Sequence, residues 1–154
     1  TIILTRSKGD IKMLKNAVKG RVNIVENVND WKEAITLAAK PLVEDGSVEN
    51  SYIDAMIANV NKFGTYIVIA PKVAMPHSRP EDGVNKNCVS LLKVNEGVLF
   101  EGEEEKVYVF FVLGAVNSDS HIETLMELME LIEDEEKIDE IIEAGNVQEI
   151  MDLI

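Results

Sequence analysis

Two histidines are all the imidazole this chain has, and both stand where a side chain could be held for chemistry. His77 lies in Ala74-Met75-Pro76-His77-Ser78-Arg79-Pro80, and three of the four prolines (Pro71, Pro76 and Pro80) fall within ten residues. Proline locks φ, so the loop carrying this imidazole is stiffened on both sides. His121 follows Ser118, Asp119 and Ser120, each able to cap the helix that His121 begins. A neutral imidazole is nucleophilic at one ring nitrogen while the other donates to an acceptor that sets the tautomer. The group it could accept without a cofactor is a phosphoryl group, whose three oxygens need N–H donors, a second imidazole or a guanidinium nearby. Arg79 is the last arginine in the chain and lies two residues from His77. Phosphoryl transfer through a histidine is therefore one reading. The other, that His77 caps a turn and His121 simply starts a helix, stays open on placement alone.

Competing chemistries lose their residues. No GxGxxG and no GxxxxGK[ST] occurs, so dinucleotide and Walker-type phosphate binding lack support. HExxH is absent, and the lone cysteine, Cys88, excludes an internal disulfide and any CxxC site. Ser118-Asp119-Ser120-His121 contains triad residue types, but adjacent residues cannot adopt triad geometry without distant partners. Neither a metal nor an organic cofactor is called for.

The elements that must position the histidines can be read from hydrophobic periodicity. Asp10 is placed to cap a short helix with Ile11, Leu14, Ala17 and Val18 on one side, ending at Gly20. Val22 to Val28 reads as extended. Asp30 caps a helix whose Trp31, Ala34, Ile35, Ala38 and Leu42 share a face, which Pro41 must bend or shorten. A third helix runs from about Ser51 to Phe63 and stops at Gly64. Residues 66–70 read as a strand covered on both faces, continued by Val73-Ala74-Met75 after Pro71. Cys88 to Val94 forms another strand. Val107 to Leu113, Val-Tyr-Val-Phe-Phe-Val-Leu, is expected to be central and buried on both faces. From Asp119 the pattern is helical. One helix carries Ile122, Leu125, Met129 and Ile132, a second spans about Glu135 to Ala144, and a third is capped by Asn146. Met126 and Met129 read as packing residues and Cys88 as core. Strands framed by helices predict a three-layer α/β/α sandwich with a mixed central sheet. The histidines then fall where strands end and helices begin, the usual place for ligands in an open α/β sheet.

Size and charge agree with one domain over residues 1–154. The chain is 154 residues long with 46% apolar and 28% charged residues, ordinary globular usage. No apolar run approaches the ~20 residues needed to span a bilayer, and no signal region opens the chain. The net charge of −13 is uneven: residues 1–100 carry 13 Lys/Arg against 11 acids, and residues 101–154 carry 2 Lys against 17 acids. So acidic a C-terminal third disfavours nucleic acid and anionic lipid and favours a basic protein partner.

The run Tyr66-Ile-Val-Ile-Ala-Pro-Lys-Val-Ala-Met-Pro-His-Ser-Arg-Pro-Glu81, followed by Asp119-Ser-His-Ile-Glu-Thr-Leu125, resembles the enzyme IIA proteins of the bacterial sugar phosphotransferase system, mannitol/fructose type. Lys40-Pro-Leu-Val-Glu-Asp-Gly-Ser-Val-Glu-Asn-Ser-Tyr-Ile-Asp-Ala-Met56 matches the segment before that signature, and the likeness covers roughly residues 28–154. The resemblance implies a cytoplasmic phosphoryl carrier. His77 would accept phosphate from the HPr phosphocarrier and pass it to a cysteine of the IIB component, part of the IIB/IIC transporter complex. His121 would support the phosphoryl group without carrying it. One departure stands out: the family arginine after the Tyr-x-x-Ala-Met motif is Asn59 here. Arg79 is the candidate replacement for its charge, with Ser78 a further candidate site residue. The Pro-His-Ser-Arg-Pro-Glu form resembles the ascorbate-specific branch most. A regulatory domain of the same fold, reporting its phosphorylation state to partners, remains the alternative.

Overall fold

A computed structural model describes residues 13–117 and 119–154, so the Asp10 cap, Ile11 and the Ser118 cap candidate lie outside the described residues. The elements in order are α1 (Met13–Val18), β1 (Val22–Val25), α2 (Trp31–Glu44), α3 (Asn50–Phe63), β2 (Val68–Ala70), β3 (Val73–Ala74), β4 (Cys88–Val98), β5 (Val107–Gly114), α4 (Ile122–Glu133), α5 (Glu135–Glu143) and α6 (Val147–Leu153). The sheet order is β1-β4-β5-β3-β2. β1 is parallel to β4 and β3 to β5, while β4–β5 and β2–β3 are antiparallel, so the sheet is mixed as expected.

β5 shows why its sequence is apolar on every position. Side chains alternate across a strand. Phe110 and Val112 pack with α2 and α3 in one core, and Val109 and Phe111 pack with α1, α4, α5 and α6 in the other. Both phenylalanines are fully buried. The predicted three layers and the central place of this strand are therefore observed. α2 begins where expected, with the Asp30 carboxylate accepting from the Glu33 N–H at 2.9 Å. Asn146 caps α6 in the same way.

Of the two outcomes expected at Pro41, shortening does not occur, since α2 runs on to Glu44, and three other expectations are corrected. A proline removes only its own N–H, and the Pro41 carbonyl still accepts from Asp45 N–H. Residues 66–70 do not make a doubly covered strand continued by Val73. Only Val68–Ala70 is extended, at the sheet edge, with Ile69 exposed. The chain reverses at Pro71-Lys72, where Lys72 takes φ of 69°, and β3 returns antiparallel to β2. The N-cap position of α4 is His121, which makes no side-chain cap bond, while Asn117 Oδ1 accepts from the Asp119 and Ser120 N–H groups just ahead of it. Met129 packs against the core as expected, but Met126 is exposed, as is Ile122.

The loop after His77 closes in a single 3-10 turn, Pro80–Asp82, ending at Gly83 with φ of 137°. A β-carbon there would lie 2.8 Å from Ser51 Oγ and 3.1 Å from Tyr52 N, against the first turn of α3. Gly83→Ala is expected to cost about 2 kcal/mol, read as a lowered urea midpoint at unchanged slope.

Candidate functional site

β3 and β5 run parallel and adjacent, so the segments leaving their carboxyl ends emerge at one edge of the sheet. The first carries His77 and the second leads to His121. The sequence placed both histidines past strand ends, and this edge is where the structure puts them. No hydrogen bond joins the two rings.

His77 Nδ1 lies 2.7 Å from the Met75 carbonyl oxygen. A carbonyl only accepts, so Nδ1 carries the hydrogen and the neutral ring keeps its lone pair on Nε2. Tyr66 meets the ring edge-on with centroids 5.7 Å apart. The next residue anchors the loop. Ser78 Oγ accepts from Asn59 Nδ2 at 3.0 Å and donates to Asp82 Oδ2. That hydroxyl, helped by the Arg79 N–H and side-chain charge, holds the Asp82 carboxyl below its ordinary value. The Ser78 N–H donates to Tyr52 Oη at 2.9 Å.

Arg79 is drawn less tightly. Its side chain is 76% exposed, with Nε 3.5 Å from Glu81 Oε1 and 3.9 Å from Asp82 Oδ2. It nevertheless lines a hollow of about 450 Å³ together with Asn59, Lys62, Phe63 and Tyr66. Asn59, at the position where the resemblance calls for arginine, thus shares a cleft with an arginine and a lysine. Lys62 was not singled out from the sequence. Its only signal was position, three residues after Asn59 on the same helix face.

His121 is set differently. Asn87, just before β4, fixes the loop ahead of it: its Oδ1 accepts from Val116 N–H and its Nδ2 donates to the Ser120 carbonyl at 2.8 Å. His121 Nε2 is buried without a hydrogen-bond partner among the described residues. Burial pulls the imidazole below its ordinary pKa of 6.5, and the Cys88 backbone beside it acts weakly the other way. The sign follows: as pH falls below 6.5 the unfolded chain binds a proton that the folded ring resists, so folding stability declines. Urea titrations should show that decline in the wild type and a flatter profile between pH 6.5 and lower pH in His121→Asn. Cys88 is fully buried, and burial pushes its thiol up to about 11, so the expected core role holds. Among the described residues no cluster of His, Cys, Asp and Glu could hold a metal, and no helix is long and apolar enough to cross a membrane.

Residues 17–154 match the family described as "Phosphoenolpyruvate-dependent sugar phosphotransferase system, EIIA 2". The chain belongs to this EIIA family. The ascorbate-specific PTS system EIIA component of Salmonella typhimurium is 35% identical over 140 residues, which cover 90% of this chain and 91% of the relative. The solution structure of the mannitol-specific cryptic phosphotransferase enzyme IIA from Escherichia coli superposes with a TM-score of 0.85 at 31% identity, over 91% of this chain and 96% of that one. A complex of mannitol enzyme IIA with phosphorylated enzyme IIB from Escherichia coli matches with a TM-score of 0.74 at 26% identity, over 86% of this chain and 92% of that one. As an EIIA of the mannitol-type fold, the protein is a component of a phosphotransferase system, and the expected α/β sandwich is the family's own.

Proposed function

We propose that this EIIA is a phosphohistidine carrier in which His77 Nε2 accepts a phosphoryl group from the phosphohistidine of an HPr-type protein and passes it to a IIB cysteine. The observation that carries the reading is the 2.7 Å contact between His77 Nδ1 and the Met75 carbonyl, which leaves the Nε2 lone pair free. In transfer, that lone pair forms the new N–P bond as the donor's N–P bond breaks, and the electron pair stays on the donor imidazole. Delivery repeats the exchange in the other direction, with a cysteine thiolate as nucleophile and His77 as leaving group. His121 and Arg79 at the same edge are the proposed supports of the phosphoryl oxygens, Arg79 replacing the charge absent at Asn59, while Ser78, whose hydroxyl and N–H donate to Asp82 and Tyr52, holds the loop that carries His77. The complex of a mannitol IIA with phosphorylated IIB supports a IIB partner here. The Pro76-His77-Ser78-Arg79 form and the ascorbate-specific relative support ascorbate as the transported compound, with the protein working at the cytoplasmic face of the IIB/IIC complex.

The test is incubation with phosphoenolpyruvate, enzyme I and HPr, followed by intact mass under alkaline conditions. One acid-labile phosphate per chain supports the reading. No gain, with an HPr shown to be phosphorylated, refutes it.

A further inference from the structure

The register between β3 and β5 pairs Val73 with Val109 and Ala74 with Phe110. Continued at the same offset, it sets His77 opposite Leu113. In a parallel ladder, Leu113 N–H would then donate to the Pro76 carbonyl, and the Leu113 carbonyl would accept from Ser78 N–H. The first of these bonds is present at 3.2 Å. The second is not made directly. Tyr52 Oη stands between its two ends, accepting from Ser78 N–H at 2.9 Å and donating to the Leu113 carbonyl at 2.6 Å. The Ser78 carbonyl lies 3.2 Å from the same hydroxyl. Tyr52 comes from α3, is fully buried, and burial pushes its phenol up to about 12, so the proton stays on the oxygen at working pH.

We infer that Tyr52 is a positioning residue whose hydroxyl, wedged into the β3–β5 ladder, holds the His77 segment off the central strand and fixes the ring on the Met75 carbonyl. The inference rests on the carrier reading for its kinetic consequence, but its structural consequence stands apart from that reading. With the hydroxyl removed, the ladder either closes directly, drawing His77 toward β5, or leaves a buried N–H and carbonyl unpaired. Both outcomes disturb the turn in which Nδ1 meets Met75, and both release the tautomer.

The experiment uses Tyr52→Phe and two readouts. Ring ¹⁵N shifts of His77 in the unphosphorylated protein should show the Nδ1–H tautomer in the wild type and a mixture in the variant. Phosphoryl uptake from phospho-HPr should slow about tenfold or more at saturating donor, with the donor concentration for half-maximal rate changed less than twofold. A folded variant with wild-type shifts and rate overturns the inference. If the shifts move while neither protein takes up phosphate, the carrier reading fails and the positioning role stands. Should Tyr52→Phe not fold, the decision passes to the wild type. A His77 ring held as Nδ1–H beside a Ser78 amide protected from exchange supports the wedge, and a Ser78 amide exchanging at open-loop rates overturns it.

Discussion

His77→Ala is expected to abolish phosphate uptake from phospho-HPr, leaving no acid-labile mass increment, while thermal and urea unfolding stay within about 0.5 kcal/mol of the wild type. The two halves of that expectation come from different features. The imidazole is the proposed nucleophile, and the only other histidine, His121, has its Nε2 buried. Two other nucleophile types among the described residues are engaged or hidden: Ser78 Oγ already donates to Asp82, and the Cys88 thiol is buried in the core. Stability is spared because the loop is held by its neighbours. Ser78 is tied to Asn59, Asp82 and Tyr52, and the Leu113 N–H holds the Pro76 carbonyl. Retained phosphorylation in His77→Ala would move the acceptor elsewhere and sink the carrier proposal. A variant that loses phosphorylation together with its fold would show that the loop depends on the imidazole more than these bonds imply.

The largest expected effect on folding comes from a residue far from the histidines. Lys93 sits in β4 with only 2% of its surface exposed, and its Nζ donates to the Ile142 carbonyl at 3.0 Å and the Ala144 carbonyl at 2.7 Å. Those carbonyls close α5, which has no basic residue in its own last turn. A helix end leaves its last carbonyls without partners, and a cation there also meets the negative end of the dipole. Lys93→Met keeps the aliphatic bulk but strands both acceptors, so a loss of about 3 kcal/mol is expected. Burial lowers the Lys93 pKa from its ordinary 10.5, with Glu26 and Glu149 opposing. Between the folded value and 10.5 the unfolded chain therefore holds more protons than the folded one, and wild-type stability gains with rising pH. The gap to Lys93→Met should widen toward alkaline pH, because the neutral amine still donates. An equal or more stable Lys93→Met protein would show that desolvating the ammonium outweighs its two hydrogen bonds.

How far the sequence reaches can be judged from these same elements. α2 and α3 were legible because each repeats the helical period over many residues, α3 with a clear stop at Gly64, and β5 because an unbroken apolar run fits a strand covered on both faces. The β2–β3 hairpin was not. Its apolar run looks the same whether covered on one face or two, and a lysine at positive φ gives no turn signal of the kind glycine would. Met126 and Ile122 fit the helical period yet lie outside, because periodicity marks a face without saying whether anything packs on it. At the site, His77 announced itself through its prolines and Arg79 through its rarity. Tyr52 and Asn87 did not, since their partners lie 61 and 33 residues away in sequence, and Asp82 did not, since an acid in a turn reads as solvated until the fold of the turn shows it facing Ser78.

The alternation of β5 has a consequence for how the protein comes apart. The adjacent Phe110 and Phe111 send their rings into opposite cores, so the strand between them belongs to both layers at once. Neither helical layer can peel away without exposing one face of that strand, and amide exchange along β5 should occur only when the whole chain opens. The histidine-bearing segments leave the carboxyl ends of β5 and its parallel neighbour β3, and so inherit that rigidity. The edge that carries the histidines is thus expected to keep its shape if a protein partner docks and leaves, with adjustment left to exposed side chains such as Arg79.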